Sequence, residues 1–387
     1  MFLKPLLERN PSFIEATIEL HRAGQLPANC YVLDLDAVRD NAATLQAEAD
    51  RLGLEMFAMT KQIGRNPAAL AALRAAGLNR AVAVDMACAR VIHREEMELA
   101  HIGHLVQIPR AEATTAAAMK PANWTVFNLE KAREAGAAAH AVGSTQDLLA
   151  RVKAPGDAFY PGQEGGFDAD QIEPVAEAIN ALPGARFAGI TTFPALRYDP
   201  AAQEVLPTPN LKTLAAAAAR LDKSMRVNAP GTTSTAMLKT LADHGATQVE
   251  PGHALTGTTP LHAIRDLPEV PAALYLTEVS HHYCGRAYCF GGGMYVDPVF
   301  PPYPIKALVN GDLLDAQLPP AELIDYYGQL LPGERATLAV GDTVIFGFRI
   351  QAFVTRAYVS AITGARDGRP RVAGIWTSNG ETTSWPA

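Results

Sequence analysis

Positive charge is the scarcer sign in this chain. Thirty-three Lys and Arg stand against 40 Asp and Glu over 387 residues, for a net charge of −7. Without a basic excess there is no electrostatic footprint for a nucleic-acid backbone. No stretch of eighteen apolar residues occurs, which argues against a membrane-spanning helix. The opening MFLKPLLERNPSF is broken by Glu8, Arg9 and Pro11 and does not make a secretory signal. Cysteine is sparse as well: Cys30, Cys88, Cys284 and Cys289 are scattered and form no C-x-x-C pair. That usage fits free thiols in an intracellular, cytoplasmic protein. Charged residues make up only 19% and hydrophobic residues 48%, so a large core is available, and the length suggests about two domains.

What is present is alternation. Eight β-like stretches are expected at Glu55–Thr60, Ala81–Asp85, His104–Ile108, Trp124–Asn128, Asp147–Lys153, Phe187–Phe193, Arg226–Asn228 and Thr247–Glu250. Alanine-rich segments of helical spacing lie between them: Asn66–Ala76, Met86–Leu99, Arg110–Met119, Leu129–Ala141, Ala169–Ala181, Asn210–Lys223 and Thr235–His244. Asp85 precedes one helix, and Gly77 and Gly245 follow two others, as helix start and stop signals should. Strands alternating with helices imply right-handed βαβ units, and eight of them in this length fit a closed (β/α)8 barrel. No G-x-G-x-x-G follows the first strand, which weakens a dinucleotide-binding alternative. After Gly257 the chain turns rich in Val, Ile, Tyr, Phe and Thr with glycine turns, which reads as a β domain. The early strand Cys30–Leu35 is assigned to that domain too. The expected division is a barrel over 37–260 and a β domain from 1–36 with 261–387.

Chemistry in such barrels sits where strands end. The expected strand ends supply Lys61, Asp85, Gln107, Asn128, Lys153, Thr192, Asn228 and Glu250. A lysine there loses its proton more easily than in water, and a neutral amine forms a Schiff base with a carbonyl. Alone, Lys61 reads equally as a strand-end residue reaching solvent. The loop VNAPGTTST places Gly231, Thr232, Thr233 and Ser234 before a helix, and Gly252 follows the last strand. Their backbone N–H groups and hydroxyls suit an anion, although plain N-capping by Thr232 or Thr233 explains the loop as well. One cofactor meets all three features, with an aldehyde for Lys61, a phosphate for the loop and a ring nitrogen for Glu250: pyridoxal 5′-phosphate (PLP).

The motifs MTKQIGRNP, GHLVQIP, FYPGQEGGF, EPGHALTG, EVSHHY and FVTR, with the opening MFLKPLLERNPSFIEA, carry a resemblance over nearly the whole chain. The chain resembles the alanine-racemase-like PLP enzymes of fold type III, specifically the YhfX-type group of predicted amino-acid racemases. The resemblance implies a PLP-binding barrel of the alanine racemase N-terminal type, with Lys61 as the Schiff-base lysine. It implies phosphate-binding positions on Gly231 to Ser234 and on Gly252 and His253, and a head-to-tail homodimer with shared active sites. Three positions depart from alanine racemases. Glu250 stands where they place an arginine against the pyridine nitrogen, and Thr192 where they place a ring-stacking histidine. Glu164 stands where they place the arginine that follows strand 5 and grips the substrate carboxylate. A glutamate keeps the ring nitrogen protonated and makes a strong electron sink, so decarboxylation or β-elimination stands beside racemisation. A non-catalytic PLP-binding protein is the third alternative.

Racemisation needs an acid or base on each face of the substrate carbon. Lys61 serves one face, and the β domain offers His281, His282, Tyr283 and Cys284 in EVSHHYC, with Asp325 in IDYYG. Of these His282, Tyr283 and Asp325 are the expected catalytic residues. His281, His282 and Cys284 also have side chains suited to zinc, but their spacing is tight and a strand alternating its histidines between core and rim is the simpler reading, so no metal is expected. The substrate expected is a small amino acid.

Overall fold

Parallel strands in such sheets are buried on both faces, and Gln146–Lys153 is buried from Gln146 to Val152 around its apolar Leu148, Leu149 and Ala150. The structure, a computed structural model, describes residues 1–300, 302–320, 322–332 and 338–385. Eight parallel strands follow one another around a ring. The first is in two segments, Glu55–Met56 and Ala58–Met59, and the others are Arg80–Val82, Glu98–Ile102, Asn123–Val126, Gln146–Lys153, Ala185–Thr191, Arg226–Asn228 and Gln248–Val249. Ala58–Met59 pairs with the second strand while Glu55–Met56 pairs with the last, so the sheet closes on itself as a (β/α)8 barrel.

Side-chain caps start three of the intervening helices. Asn66, Asp85 and Asn128 accept hydrogen bonds from the backbone N–H three residues on. Asp85 and Asn128, read from the sequence as members of a polar ring, are therefore helix caps. The third strand also differs from expectation, lying at Glu98–Ile102 rather than His104–Ile108. Gly103 ends it at φ +73°, in the left-handed region that favours glycine. The preceding helix stops at Arg94, five residues earlier than read, and Glu96 turns the chain at φ +57°. This six-residue shift brings His101 into the barrel wall and moves Gln107 out into the following loop, where it donates to the Gly103 and Thr125 carbonyls.

The second sheet is mostly antiparallel and has nine strands among the described residues. Cys30–Asp34 lies between Ala273–Tyr283 and Tyr358–Thr363, with which it pairs antiparallel and parallel respectively. The early strand thus lies inside this sheet. Its residues alternate between two cores. Tyr31 and Leu33 face Tyr275, Phe346 and Phe348; Cys30 and Val32 face Leu6, Phe13 and Ile345. The second core exists because helices Leu3–Arg9 and Pro11–Arg22 cover that side of the sheet. Contacts divide the chain into one unit of residues 43–60 and 77–252 and another of 1–42, 61–76 and 253–387.

Candidate active site

The barrel's polar interior is built around Glu250, which follows the last strand and is buried. An ionised carboxylate in that position requires donors. Its Oε1 receives two: His101 Nδ1 at 2.5 Å and Asn228 Nδ2 at 2.9 Å. Thr191 donates to Asn228 Oδ1 at 2.7 Å, which fixes the amide so that its nitrogen turns toward Glu250. His101 Nε2 meets Thr125 Oγ1 at 2.6 Å. The other carboxylate oxygen, Oε2, has no hydrogen-bond partner, and His104 Nε2 lies 3.7 Å from it. Burial pushes the carboxyl up, but His104, His101 and the hydrogen bonds from His101 and Asn228 outweigh it and bring it down to about 2. Glu250 is therefore an anion at neutral pH with one oxygen held and the other open.

Further unsatisfied groups lie on the loops after neighbouring strands. Thr192 is buried, and its hydroxyl has no partner. After Arg226–Asn228 the loop turns at Gly231, with φ +133°, and at Thr232, with φ +44°. Thr233 and Ser234 are buried, and both hydroxyls lack partners, although Ser234 stands at the N-terminus of helix Thr235–Asp243. Buried hydroxyls without partners are costly in a finished structure. Two of them at the positive end of a nine-residue helix suit the phosphate of PLP, and an open carboxylate oxygen suits its ring nitrogen. On this observation the residues present fit the cofactor.

Sequence reading missed three side chains here. Arg151, two residues before the end of strand Gln146–Lys153, is 1% exposed, with Nη2 donating to the Gln163 and Phe193 carbonyls. Its Nε and Nη1 lack partners, and the guanidinium lies over Phe127 at 4.6 Å and Phe159 at 5.3 Å. Burial lowers its pKa to about 10. Lys153 instead pairs with Asp168 toward solvent. His101 and His104 were missed through the shifted third strand; the polar residues inside ELAHIGHLV were the only available signal. With Glu250 these histidines form the one cluster of three metal-type side chains among the described residues, with ligand atoms within 4.8 Å of one another. The direct His101–Glu250 hydrogen bond joins two of them instead of aiming both at a common centre.

Lys61 follows Thr60 directly, just past the first barrel strand, and its ammonium lies 5.4 Å from the Phe353 ring centroid. His253 is buried with both ring nitrogens engaged, Nε2 by the Ile350 carbonyl and Nδ1 by Arg349, itself paired with Asp297. Because the carbonyl only accepts, His253 carries its proton on Nε2. Burial, Arg349 and Lys61 hold it neutral, its pKa well below the usual imidazole range. Gly252 precedes it, half-buried.

In the β domain, His281, His282, Tyr283 and Cys284 are exposed at the tip of the hairpin joining Ala273–Tyr283 to Arg286–Phe290. Cys284 occupies the turn itself at φ +47°. His281 stacks on Tyr288 at 4.6 Å. Asp325 accepts from the Gly292 and Met294 N–H groups and pairs with Arg356, tying the 291–294 loop to that arginine.

Barrel, β domain and this set of buried polar groups together define a protein of the alanine-racemase fold, a PLP-dependent fold family. The chain belongs to that family: the profile for the alanine racemase N-terminal domain matches residues 33–260, and that for the YhfX-like C-terminal domain matches 274–372. It is 40% identical over 99% of both chains to the protein YhfX of Escherichia coli (strain K12). Among solved structures it is similar to D-threonine aldolase from Filomicrobium marinum, at TM-score 0.67 and 17% identity over 92% of this chain and 96% of that one. It is also similar to D-threo-3-hydroxyaspartate dehydratase from Delftia sp. HT23, at TM-score 0.67 and 18% identity over 91% and 97%. At these identities the two structures speak for the fold.

Proposed function

We propose that this protein is a PLP-dependent amino-acid racemase or epimerase. The observation that supports the cofactor in this reading is Glu250: a buried carboxylate with one oxygen doubly hydrogen-bonded and the other without a hydrogen bond. When bound, PLP withdraws electrons from the α-carbon of an amino acid joined to its aldehyde carbon. Lys61 is the residue that would hold that carbon covalently in the resting enzyme and then move a proton at one face of the substrate. Glu250 would hold a proton on the ring nitrogen. Thr233, Ser234, Gly231, Thr232, Gly252 and the backbone of His253 would bind the phosphate, and Thr192 would cover the ring. Because both His253 nitrogens are engaged, that residue contributes through its main chain. Arg151 brings a buried positive charge with two nitrogens free of hydrogen bonds, which suits the cofactor's phenolate or a substrate carboxylate.

For the opposite face we propose the hairpin residues His282 and Tyr283. Exposed in one chain, they are available to the site of a second copy, which is the basis for a homodimer with shared sites. Asp325 would shape that region by holding the 291–294 loop. A lyase or decarboxylase activity is the second reading, favoured by Glu250 itself and by the aldolase and dehydratase among the structural neighbours.

The test combines spectrum and exchange. Purified protein given PLP should absorb near ~420 nm, and Lys61→Ala should lose that band. Wild type should then exchange the α-hydrogen of at least one amino acid for deuterium. No band in wild type sinks the cofactor assignment. A band with product release but no exchange replaces the racemase by the lyase reading.

A further inference from the structure

We infer that His101 is a positioning residue: by donating to Glu250 Oε1 it turns the carboxylate so that Oε2, with its charge, faces the cofactor's ring nitrogen. This rests on the PLP reading given above and deepens it. The argument starts from hydrogen-bond inventory. Glu250 is an anion and only accepts, so His101 must carry a proton on Nδ1 whether its ring is neutral or charged. The partner of Nε2 is a hydroxyl, Thr125 Oγ1, which donates to a neutral ring or accepts from a charged one without moving. Glu250 therefore keeps its donor in both states of the histidine. The second donor, Asn228 Nδ2, is fixed by Thr191 and reaches the same oxygen. Both hydrogen bonds fall on Oε1, and none falls on Oε2.

An oxygen with two donors is restrained; a buried oxygen with none is unfinished. His101 and Glu250 both have fully buried side chains, so bulk water does not complete the network. His104 is the remaining charged-capable neighbour of Oε2, at 3.7 Å and edge-on to Phe193 at 5.4 Å between centroids. If the Nδ1 donor is removed, burial acts on the carboxylate with less opposition. The shared proton then moves from the ring nitrogen to Glu250, and the ring loses its positive charge. Sink strength is thus set one residue beyond the carboxylate.

The variants that test this are His101→Leu, which removes the donor, and His101→Asn, whose amide nitrogen stands near the place of Nδ1. Each is loaded with PLP labelled with 15N in the ring, and the ring-nitrogen resonance is read by NMR. Wild type and His101→Asn should give the protonated-pyridine position across neutral pH, and His101→Leu should move toward the unprotonated one. An identical protonated signal in all three overturns the inference while leaving the cofactor reading intact. An unprotonated signal in wild type also overturns it. Failure of wild type to take up the label overturns the cofactor reading itself. If His101→Leu does not fold, the unloaded proteins decide: the 13C carboxyl signal of Glu250 should titrate near the wild-type pH in His101→Asn and at higher pH in His101→Ala. Equal titration in every variant overturns the inference.

Discussion

Glu250 makes the acid behaviour of this protein predictable at the level of one side chain. Its carboxyl titrates near 4.5 when the chain is unfolded and near 2 when folded. The folded value is the lower one, so as pH falls the unfolded chain takes up the proton first. Glu250 thus contributes stability that is complete above about 4.5 and is lost as pH drops through about 2. Urea unfolding at steps from neutral pH to about 2 should show this component in wild type. Glu250→Gln should lack it and be less stable than wild type at neutral pH, by about 1–3 kcal/mol for a disturbed buried hydrogen-bond pair.

Among the elements, the loop and helix from Gly231 to Asp243 separate binding from stability. The Thr233 and Ser234 hydroxyls have no partner to lose. Thr233→Val and Ser234→Ala should therefore leave the denaturation midpoint of the unloaded protein nearly unchanged, while weakening PLP binding about tenfold or more each, the range for a hydrogen bond to a charged group. Gly231→Ala behaves in the opposite way. Its Cβ would stand 3.0 Å from Ala195 N and Leu196 O at φ +133°, so it should destabilise the unloaded protein by about 1–3 kcal/mol, measured by the same unfolding curves. The elements also show what the sequence could and could not convey. Seven of the eight strands were placed by apolar runs between helix signals, and Glu250, Asn228 and the GTTS loop followed from strand ends. The third strand slipped because ELAHIGHLVQI is apolar enough to be a strand in either half. Gly103 decides the matter through a φ that no composition rule reveals. Arg151 escaped notice because a lone arginine in a strand is read as facing water, and its burial depends on Phe127 and Phe159 arriving from other loops.

At the scale of the whole molecule, the proposal of a shared site has its own measurement. Sedimentation should give twice the mass of the 41.2 kDa chain. Lys61→Ala and the double variant His282→Ala, Tyr283→Ala should each be inactive, and mixing them under exchange conditions should restore up to about a quarter of wild-type activity, the statistical share of mixed dimers with one intact site. A monomer, or a mixture with no recovery, removes the shared site and leaves the barrel's own residues to supply both faces.

The position of Cys30–Asp34 in the middle of the second sheet sets a schedule for the chain. This strand is made early, but its neighbours Ala273–Tyr283 and Tyr358–Thr363 follow only about 240 to 320 residues later, a delay of roughly 12 to 65 s at typical synthesis rates. Throughout that interval the barrel residues can close their ring, while five apolar-rich residues and the helices before them wait unpaired. Both strands that give the first strand its place leave the ribosome only after the whole barrel.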